Sequence, residues 1–417
     1  MTDTTTHRRC PAHIPGDIAR HADDDFHSVY THLRHDHPVY HDSDLELWVV
    51  SRHDDIAEVL RDREHAYTPA HSYDPIQPMD PEASRIYTAV HDVPVAASTD
   101  PPIHTRYRNA LTAVWPTSAT RLAPWQPRIE SRAREAAEAF AARPDRFGEL
   151  FADYVQPLTM RVMSDLIGVT PHEEQCVIDG SSGMSDLLWS FQQPIDQRRC
   201  AQAVVEQWKL CTDLVSRYRA DPQANLTTAW TTYRDADGTP LTDAEIASTL
   251  MEVLTTNTET LALLITTALR HLLTGDGYRH LTHHPERACT AIEETLRVDP
   301  PLIGWLRTTR HPVTLAGVEL PRDARLLLLM HSGARDEVHG TAEPHSFDYQ
   351  RDDIPPTLVF GAGDHYCPGA LYTRFVAQHA LTALAEALPN LTLTAEAPAP
   401  RLANLLLRRA TRLTVTW

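Results

Sequence analysis

The sequence predicts a mainly α-helical chain with small β-sheets, an α+β fold, on three observations. The first is Thr242-Asp243-Ala244-Glu245, a capping-box signature that opens a helical pattern running to about Thr274, with Gly275 beyond its end. The second is the stretch 123–219, rich in Ala and Arg and punctuated by Pro144, Gly168, Pro171 and Pro194, which reads as successive helices. The third is that strand-like runs are few and short: 47–51, 313–318 around an Ala316-Gly317 turn, and 325–330.

The remaining elements follow in order. Phe26, Tyr30 and Leu33 make an apolar stripe at helical spacing, ended by Pro38. A short helix over 54–61 turns Ile56, Val59 and Leu60 inward. Across 66–102, Pro69, Pro75, Pro78, Pro81 and Pro94 predict a long loop without regular elements, and long ordered loops are usually functional. Asp100-Pro101-Pro102 starts the next helix, on which His104 and Arg108, four apart, share a face. Pro285 starts another, with Glu294-Thr295-Leu296-Arg297 inside it.

At 417 residues with 42% hydrophobic content the chain reads as one globular domain, 1–417, and no apolar run approaches the 18 residues of a membrane span. The opening MTDTTTHRRCPAHIPG is polar and unlike a signal segment, so the expected location is cytoplasmic, with no membrane partner. A net charge of −18 argues against nucleic acid as a macromolecular partner. Of 38 basic residues only Lys209 is lysine. Six cysteines (Cys10, Cys176, Cys200, Cys211, Cys289, Cys367) lack CxxC spacing, which indicates neither a zinc site nor a disulfide framework. His280, His283 and His284 have helical spacing, but such clusters are mostly solvated helix surface.

One decapeptide organises the chemistry: Phe360-Gly361-Ala362-Gly363-Asp364-His365-Tyr366-Cys367-Pro368-Gly369. A single cysteine stands among three glycines, after a strand-like run and before a helical one. The expectation is that Gly361, Gly363 and Gly369 let the backbone take φ values closed to other residues and approach a bulky ligand. Cys367 would stand at the start of a helix beginning near Pro368, where the positive helix end lowers a thiol's pKa. Such a loop presents one thiolate to a metal. A buried structural cysteine is the plain alternative.

Six positions of this stretch match Phe-Gly-x-Gly-x-His/Arg-x-Cys-x-Gly, and the chain resembles the cytochrome P-450 family from about Trp48 to Leu406. The resemblance implies a soluble bacterial-type haem-thiolate enzyme, with haem b (iron protoporphyrin IX) between a long central helix and the cysteine loop. It implies Cys367 as the axial iron ligand, Phe360, Gly361 and Gly369 against the haem, and His365 at a propionate. Asp-Pro-Pro-x-His-Thr-x-x-Arg gives His104 and Arg108 as propionate ligands, and Arg307 matches another. Buried carboxylates need such charge partners.

On the long helix, Thr255-Thr256-Asn257-Thr258-Glu259-Thr260 is a polar run amid leucines. It resembles the family's Ala/Gly-Gly-x-Asp/Glu-Thr segment, which makes Glu259 and Thr260 the acid and alcohol of the proton relay. Thr256 and Asn257 depart from the family's small pair. The Thr256 hydroxyl would bond to Thr260 or to a carbonyl, and oxidative coupling becomes more plausible beside simple hydroxylation. Glu294 and Arg297 resemble the Glu-x-x-Arg signature, paired inside the core with Arg351 as a structural triad. By family position Met184, Leu187, Leu188, Trp189 and Phe191 lie in the access lid, although as plain sequence they read as helix core.

The pocket is expected to take in Thr256, Asn257, Ile303, Trp305, Asn404 and Leu405, the last two on a returning strand tip. Polar and aromatic residues together fit an aromatic cyclic dipeptide or a similar secondary metabolite. A terpene, steroid or macrolide hydroxylase, or a silent fold member acting as a docking platform, are the competing readings. Electrons would come from NAD(P)H through ferredoxin reductase and ferredoxin, and the chain is expected to act as a monomer. Pro368 has no N–H, so one donor to the sulfur is absent, which predicts a lower haem potential.

Overall fold

The computed structural model describes residues 26–90, 93–190, 193–339, 343–395, 401–402, 404–409 and 412–417. Cys10, the polar opening segment, Phe191 and the side chain of Phe26 lie outside the described residues.

Tyr30 and Leu33 face the core from α1 (Phe26–Asp36). Next come β1 (Val39–Asp42), β2 (Leu47–Val50) and α2 (His53–Leu60), which buries Ile56, Val59 and Leu60. The 66–102 stretch is more regular than its prolines suggest. It holds β3 (Tyr67–Thr68), α3 (Pro81–Thr88) and a single 3₁₀ turn at Ala96–Ser98. Pro81 does not break α3 but begins it, where its missing N–H costs nothing, and the Asp80 carboxylate caps the N–H groups of Glu82 and Ala83 at 3.1 Å each.

Helices dominate the middle: α4 (Ile103–Val114), α5 (Ala119–Leu122), α6 (Gln126–Ala141), then after β4 (Phe147–Glu149) α7 (Gln156–Ile167), α8 (Glu174–Trp189), α9 (Pro194–Ala220) and α10 (Leu226–Thr232). Met184, Leu187, Leu188 and Trp189 are buried on α8.

The central helix is α11 (Asp243–Thr274), 32 residues and so roughly 48 Å long. Its capping box is complete: Glu245 N–H donates to Thr242 Oγ1 at 3.2 Å, and Thr242 N–H donates to Glu245 Oε2 at 2.7 Å. Ile246–Met251 and Leu261–Leu269 are buried without interruption, as suits a helix packed all round. Between them 255–260 is accessible except at Thr258. The polar run is therefore where the surroundings of α11 open.

After α12 (Gly277–His283) comes α13 (Arg287–Val298), which starts two residues beyond Pro285. Strands β5 (Trp305–Thr309), β6 (Val313–Leu315), β7 (Val318–Leu320) and β8 (Arg325–Leu328) follow, then α14 (Met330–Gly333). The main sheet has the order β1-β2-β8-β5-β3, with only β2–β8 parallel. Residue Gly304 enters β5 so close to β8 that a Cβ there would stand 2.3 Å from Leu328 O, so only glycine fits. Register pairs Arg307 of β5 with Leu326 of β8, the strand at the sheet centre.

Helix α15 (Ala370–Ala387) has Gly369 as N-cap, so it begins later than expected and Pro368 lies just ahead of the cap. Gly369 sits at φ −82°, open to any residue, in contrast to Gly361 (φ +73°) and Gly363 (φ +66°). A Cβ there would meet Cys367 Sγ at 3.6 Å, an ordinary contact, so neither φ nor space among the described residues demands glycine at this position. Finally β9 (Thr392–Leu393), β10 (Arg401–Leu402), β11 (Arg408–Arg409) and β12 (Thr414–Thr416) form a β10–β11 hairpin and the sheet β4-β12-β9. Asn404, Leu405 and Leu406 are not a strand but the tip of that hairpin. One large apolar cluster joins Tyr30 to Val415, and a smaller one lies between the main sheet and α2.

Candidate active site

The cysteine loop is folded by its own backbone. Gly361 N–H donates to Leu358 O at 2.7 Å, Tyr366 N–H to Gly363 O at 3.1 Å, and Cys367 N–H to Phe360 O at 2.8 Å. Gly361 and Gly363 supply the left-handed turns this path needs, and Gly363 also lies against α2, where a Cβ would come 2.5 Å from Leu60 O. Burial pushes the Cys367 thiol up, against the N–H groups of Gly369 and Ala370 and the charges of Arg108 and Arg374. Those two N–H groups come from the start of α15, so the helix end does face the sulfur. Arg374 lies over the Phe360 ring at 4.5 Å and pairs with Glu293, Nη2 to Oε2 at 3.0 Å.

Four basic side chains from three elements gather beside this loop. His104 and Arg108 come from α4, Arg307 from β5 and His365 from the loop itself. The rings of His104 and His365 are 4.1 Å apart, and Arg108 Nη2 donates to Tyr366 O at 2.6 Å. Burial, then Arg307, His104 and Arg108, drive His365 down to about 3, and burial followed by Arg108 lowers His104. Arg307 is 6% exposed and is pushed down to about 10 by burial. Its guanidinium donates to Leu306 O at 2.8 Å and forms no ion pair among the described residues. A buried cation with no anion is costly. Gathered with three further donors, it fits a ligand that brings its own carboxylates, as a haem does with its propionates.

Above the loop, the threonines of α11 turn back on their own helix. Thr256 Oγ1 donates to Glu252 O at 2.8 Å, Thr258 Oγ1 to Leu254 O at 2.6 Å, and Thr260 Oγ1 to Thr256 O at 2.6 Å. Of the two partners expected for Thr256, the hydroxyl thus takes a carbonyl. Glu259 turns toward α8 and the hairpin: Ser185 Oγ donates to Oε2 at 3.0 Å, and Arg409 Nε donates to Oε1. Arg409 also pairs with Asp186 at 3.0 Å.

Among the other expected pocket residues, Ile303 is fully buried and its N–H donates to Leu406 O at 2.9 Å. Leu405 N–H reaches Trp189 O at 2.8 Å, tying the hairpin tip to the end of α8. Trp305 is half-buried and forms an aromatic trio with Tyr73 and Trp189, centroids 5.4 to 6.0 Å apart. Asn257 is half-buried on α11. Asn404 is buried and its Oδ1 serves the turn, accepting from Leu406 N–H at 3.0 Å and Leu407 N–H at 2.8 Å.

The Glu294, Arg297 and Arg351 side chains meet in the core. Arg297 is bidentate on Glu294, both bonds 2.8 Å, and Arg351 Nε lies 3.0 Å from Glu294 Oε1. Arg297 also donates to Pro344 O and Ser346 O, so the triad pins the segment leading to the cysteine loop.

Sequence reasoning missed Tyr73, Ser185, Glu252 and Arg409, and named Thr255 only as part of the polar run. Glu252 had a signal, since it stands four and eight residues before Thr256 and Thr260 on one helix face. The partners from other elements had none.

Compared with protein-family models, the sequence matches none. Individual proteins do match. Cytochrome P-450 107B1 of Saccharopolyspora erythraea is 29% identical over 354 residues, 84% of each chain. Vitamin D(3) 25-hydroxylase of Pseudonocardia autotrophica is 28% identical over 373 residues, 88% of this chain and 87% of its own. The solved cytochrome P-450 CREJ, in complex with (4-ethylphenyl) dihydrogen phosphate, superposes with a TM-score of 0.86 at 27% identity, covering 93% of this chain and 96% of its own. With the helix-and-loop architecture and the likeness to these proteins, the fold and site define a haem monooxygenase. In sequence and in fold the chain is similar, over most of its length, to proteins of the cytochrome P-450 family. Proteins of this family carry haem, draw electrons from redox partners and act on small molecules. Among the described residues, no helix is long and apolar enough to cross a membrane.

Proposed function

We propose that the chain is a single-domain haem-thiolate oxidase that holds haem b through Cys367 and oxidises a small secondary metabolite, by hydroxylation or by oxidative C–C or C–N coupling. The observation that carries this reading is the convergence of a lone loop cysteine with Arg307, a buried cation that has no ion-pair partner among the described residues. When bound, the haem supplies oxygen activation and one-electron chemistry, with the thiolate favouring O–O cleavage.

The chain's residues divide the remaining work. Arg108, Arg307, His104 and His365 receive the propionates, while Phe360, Gly361 and Gly369 line the loop side. Glu259 and Thr260 move protons. Thr260 must turn its hydroxyl away from Thr256 O to hand one on, and Glu259 must open its pair with Arg409. Thr256 and Asn257 narrow the groove over the loop, which favours a substrate held at a distance and coupled over one deeply inserted. Ile303, Trp305, Leu405 and the Asn404 Nδ2, buried without a partner, supply apolar, flat and polar contacts. An aromatic cyclic dipeptide meets all three, with the trio of Tyr73, Trp189 and Trp305 as stacking partners. Electrons arrive from NAD(P)H through a ferredoxin reductase and a ferredoxin, and the enzyme works as a cytoplasmic monomer.

The test is haem reconstitution followed by optical titration with cyclic dipeptides, steroids, terpenes and macrolides. A red-shifted carbon monoxide difference band in wild type, lost in Cys367→Ser, supports thiolate ligation. A saturable spin-state shift with aromatic cyclic dipeptides alone supports the substrate, and product masses separate oxygen insertion from coupling. A shift only with apolar polycycles overturns the substrate reading.

A further inference from the structure

A narrow cavity lies between α11, α8, α9 and the 66–102 segment. Most of its wall is apolar, with Val93, Val95, Trp208 and Met251 among the lining side chains, yet Glu252 and Thr255 also face it. An acid in such surroundings demands an explanation. Glu252 accepts N–H groups from Ala96 at 3.1 Å and Ala97 at 2.8 Å, one on each oxygen, and makes no ion pair among the described residues. Each carboxylate oxygen therefore retains acceptor capacity. Arg108 is the cation that acts on Glu252, but it lies beyond ion-pair distance and its Nη2 is committed to Tyr366 O.

The second observation is independent. Thr255 has a buried hydroxyl with no hydrogen-bond partner, whereas Thr256, Thr258 and Thr260 all satisfy theirs at the carbonyl four residues back. Its spare donor and acceptor stand in the wall that already holds Glu252, an acid without an ion-pair partner among the described residues. Buried polar groups are rarely left this way unless a water, an ion or a ligand completes them.

We infer that Glu252 and Thr255 form a cation-recognising subsite, which selects substrates carrying a guanidinium or other permanently protonated nitrogen on an apolar or aromatic body. This deepens the substrate reading above and rests on the cavity being the substrate pocket of a haem-loaded enzyme. The cation replaces the missing counter-charge of Glu252 and accepts nothing itself, leaving the Thr255 hydroxyl to pair with a neighbouring carbonyl or amide of the same ligand. A guanidinium matches the carboxylate bidentately and does not coordinate iron as a free amine would.

The experiment is calorimetric titration of the haem-loaded protein with 3-phenylpropylguanidinium and with its neutral isostere, 3-phenylpropylurea. Wild type is expected to bind the guanidinium at least about tenfold more tightly, the value of a charged hydrogen bond over a neutral one. Glu252→Gln, which keeps the side-chain shape and one acceptor for the Ala96–Ala97 turn, should abolish the preference while urea binding persists. Thr255→Val should weaken both probes by a few fold. Equal binding of the two probes by wild type, no binding of either, or a preference that survives in Glu252→Gln overturns the subsite. Haem content and the thiolate spectrum are recorded on the same samples. A normal spectrum with no preference removes the subsite alone, whereas failed haem uptake removes the proposed function and the subsite with it.

Discussion

Arg409 Nε donates to the Glu259 carboxylate across 150 residues of sequence, so the acid beside Thr260 is held by a cation from the C-terminal hairpin. Glu259→Gln keeps the side chain's size and the Ser185 bond but removes the acid. Turnover is expected to fall by about a hundredfold, the usual value of a positioned general acid, with substrate affinity and haem content unchanged. Steady-state kinetics in light and heavy water check this; an unaltered rate would remove Glu259 from the relay.

Residue Arg307 gives a prediction with opposite signs in two measurements. Arg307→Met removes a buried charge that has no ion-pair partner among the described residues, Asp100 offsetting its burial only in part, so the haem-free protein should become more stable in urea. Haem loss to an acceptor protein should quicken about tenfold, since a charged hydrogen bond to the propionate is gone. If both measurements move the same way, Arg307 is a structural cation.

The glycines of the cysteine loop are expected to differ. Gly363→Ala must hold φ +66° and press a Cβ to 2.5 Å from Leu60 O, a combined cost of about 2–4 kcal/mol. Gly361→Ala carries only the strain of φ +73°, its nearest contact being His365 O at 3.4 Å, and should cost about 1–2 kcal/mol. Thermal unfolding of the two variants ranks them; equal losses would place the cost elsewhere.

Stability in acid should depend on Asp299, buried on the way from α13 to β5. Burial works to raise its pKa, but Arg408 and His271 outweigh it and hold the carboxyl far below the ordinary value. His271 Nε2 lies at 3.2 Å, with Arg270 at 3.8 Å and His331 and Arg335 close enough to act. A depressed carboxyl stabilises above its unfolded value, near 3.9, and that contribution is lost as pH falls through the folded value. Asp299→Asn should therefore cost about 3–5 kcal/mol at neutral pH, and the gap to wild type should narrow steadily from about pH 5 to 3. Urea unfolding across that range checks it, and a gap independent of pH would sink the assignment.

For the sulfur itself, Gly369 and Ala370 already offer N–H groups, and Pro368 withholds one. Pro368→Ala should raise the iron potential of the loaded protein. An unchanged or lower potential in a redox titration would count against it.

How much of this was legible depended on distance along the chain. The cysteine loop, the His104 and Arg108 pair and the capping box of α11 are short patterns in which chemistry dictates residue type at fixed spacing. Glu294 and Arg297 were equally local. The Glu259 pairing with Arg409 and the Glu252 clasp on Ala97, 155 residues apart, are made by tertiary packing and leave no local trace. Helix α3 is legible too, since Asp80-Pro81-Glu82 is a capped helix start, but five prolines in one stretch mask it by reading as breakers. Residue type alone does not separate Gly369, at φ −82°, from Gly361 and Gly363, which do take left-handed φ.

The sheet that joins β4 to β12 sets Phe147 opposite Thr416, and its register is fixed by a strand from each end of the helical body. During synthesis, β4 must wait for some 270 further residues, about a quarter of a minute or more at ordinary elongation rates, before its partner exists. The hairpin bearing Arg409 emerges just ahead of that partner. Helices α6 to α11 are therefore expected to collapse first around their local contacts, with the Glu259 side of the pocket left open until the late strands dock. Haem captured before that moment would meet an unfinished wall on the hairpin side.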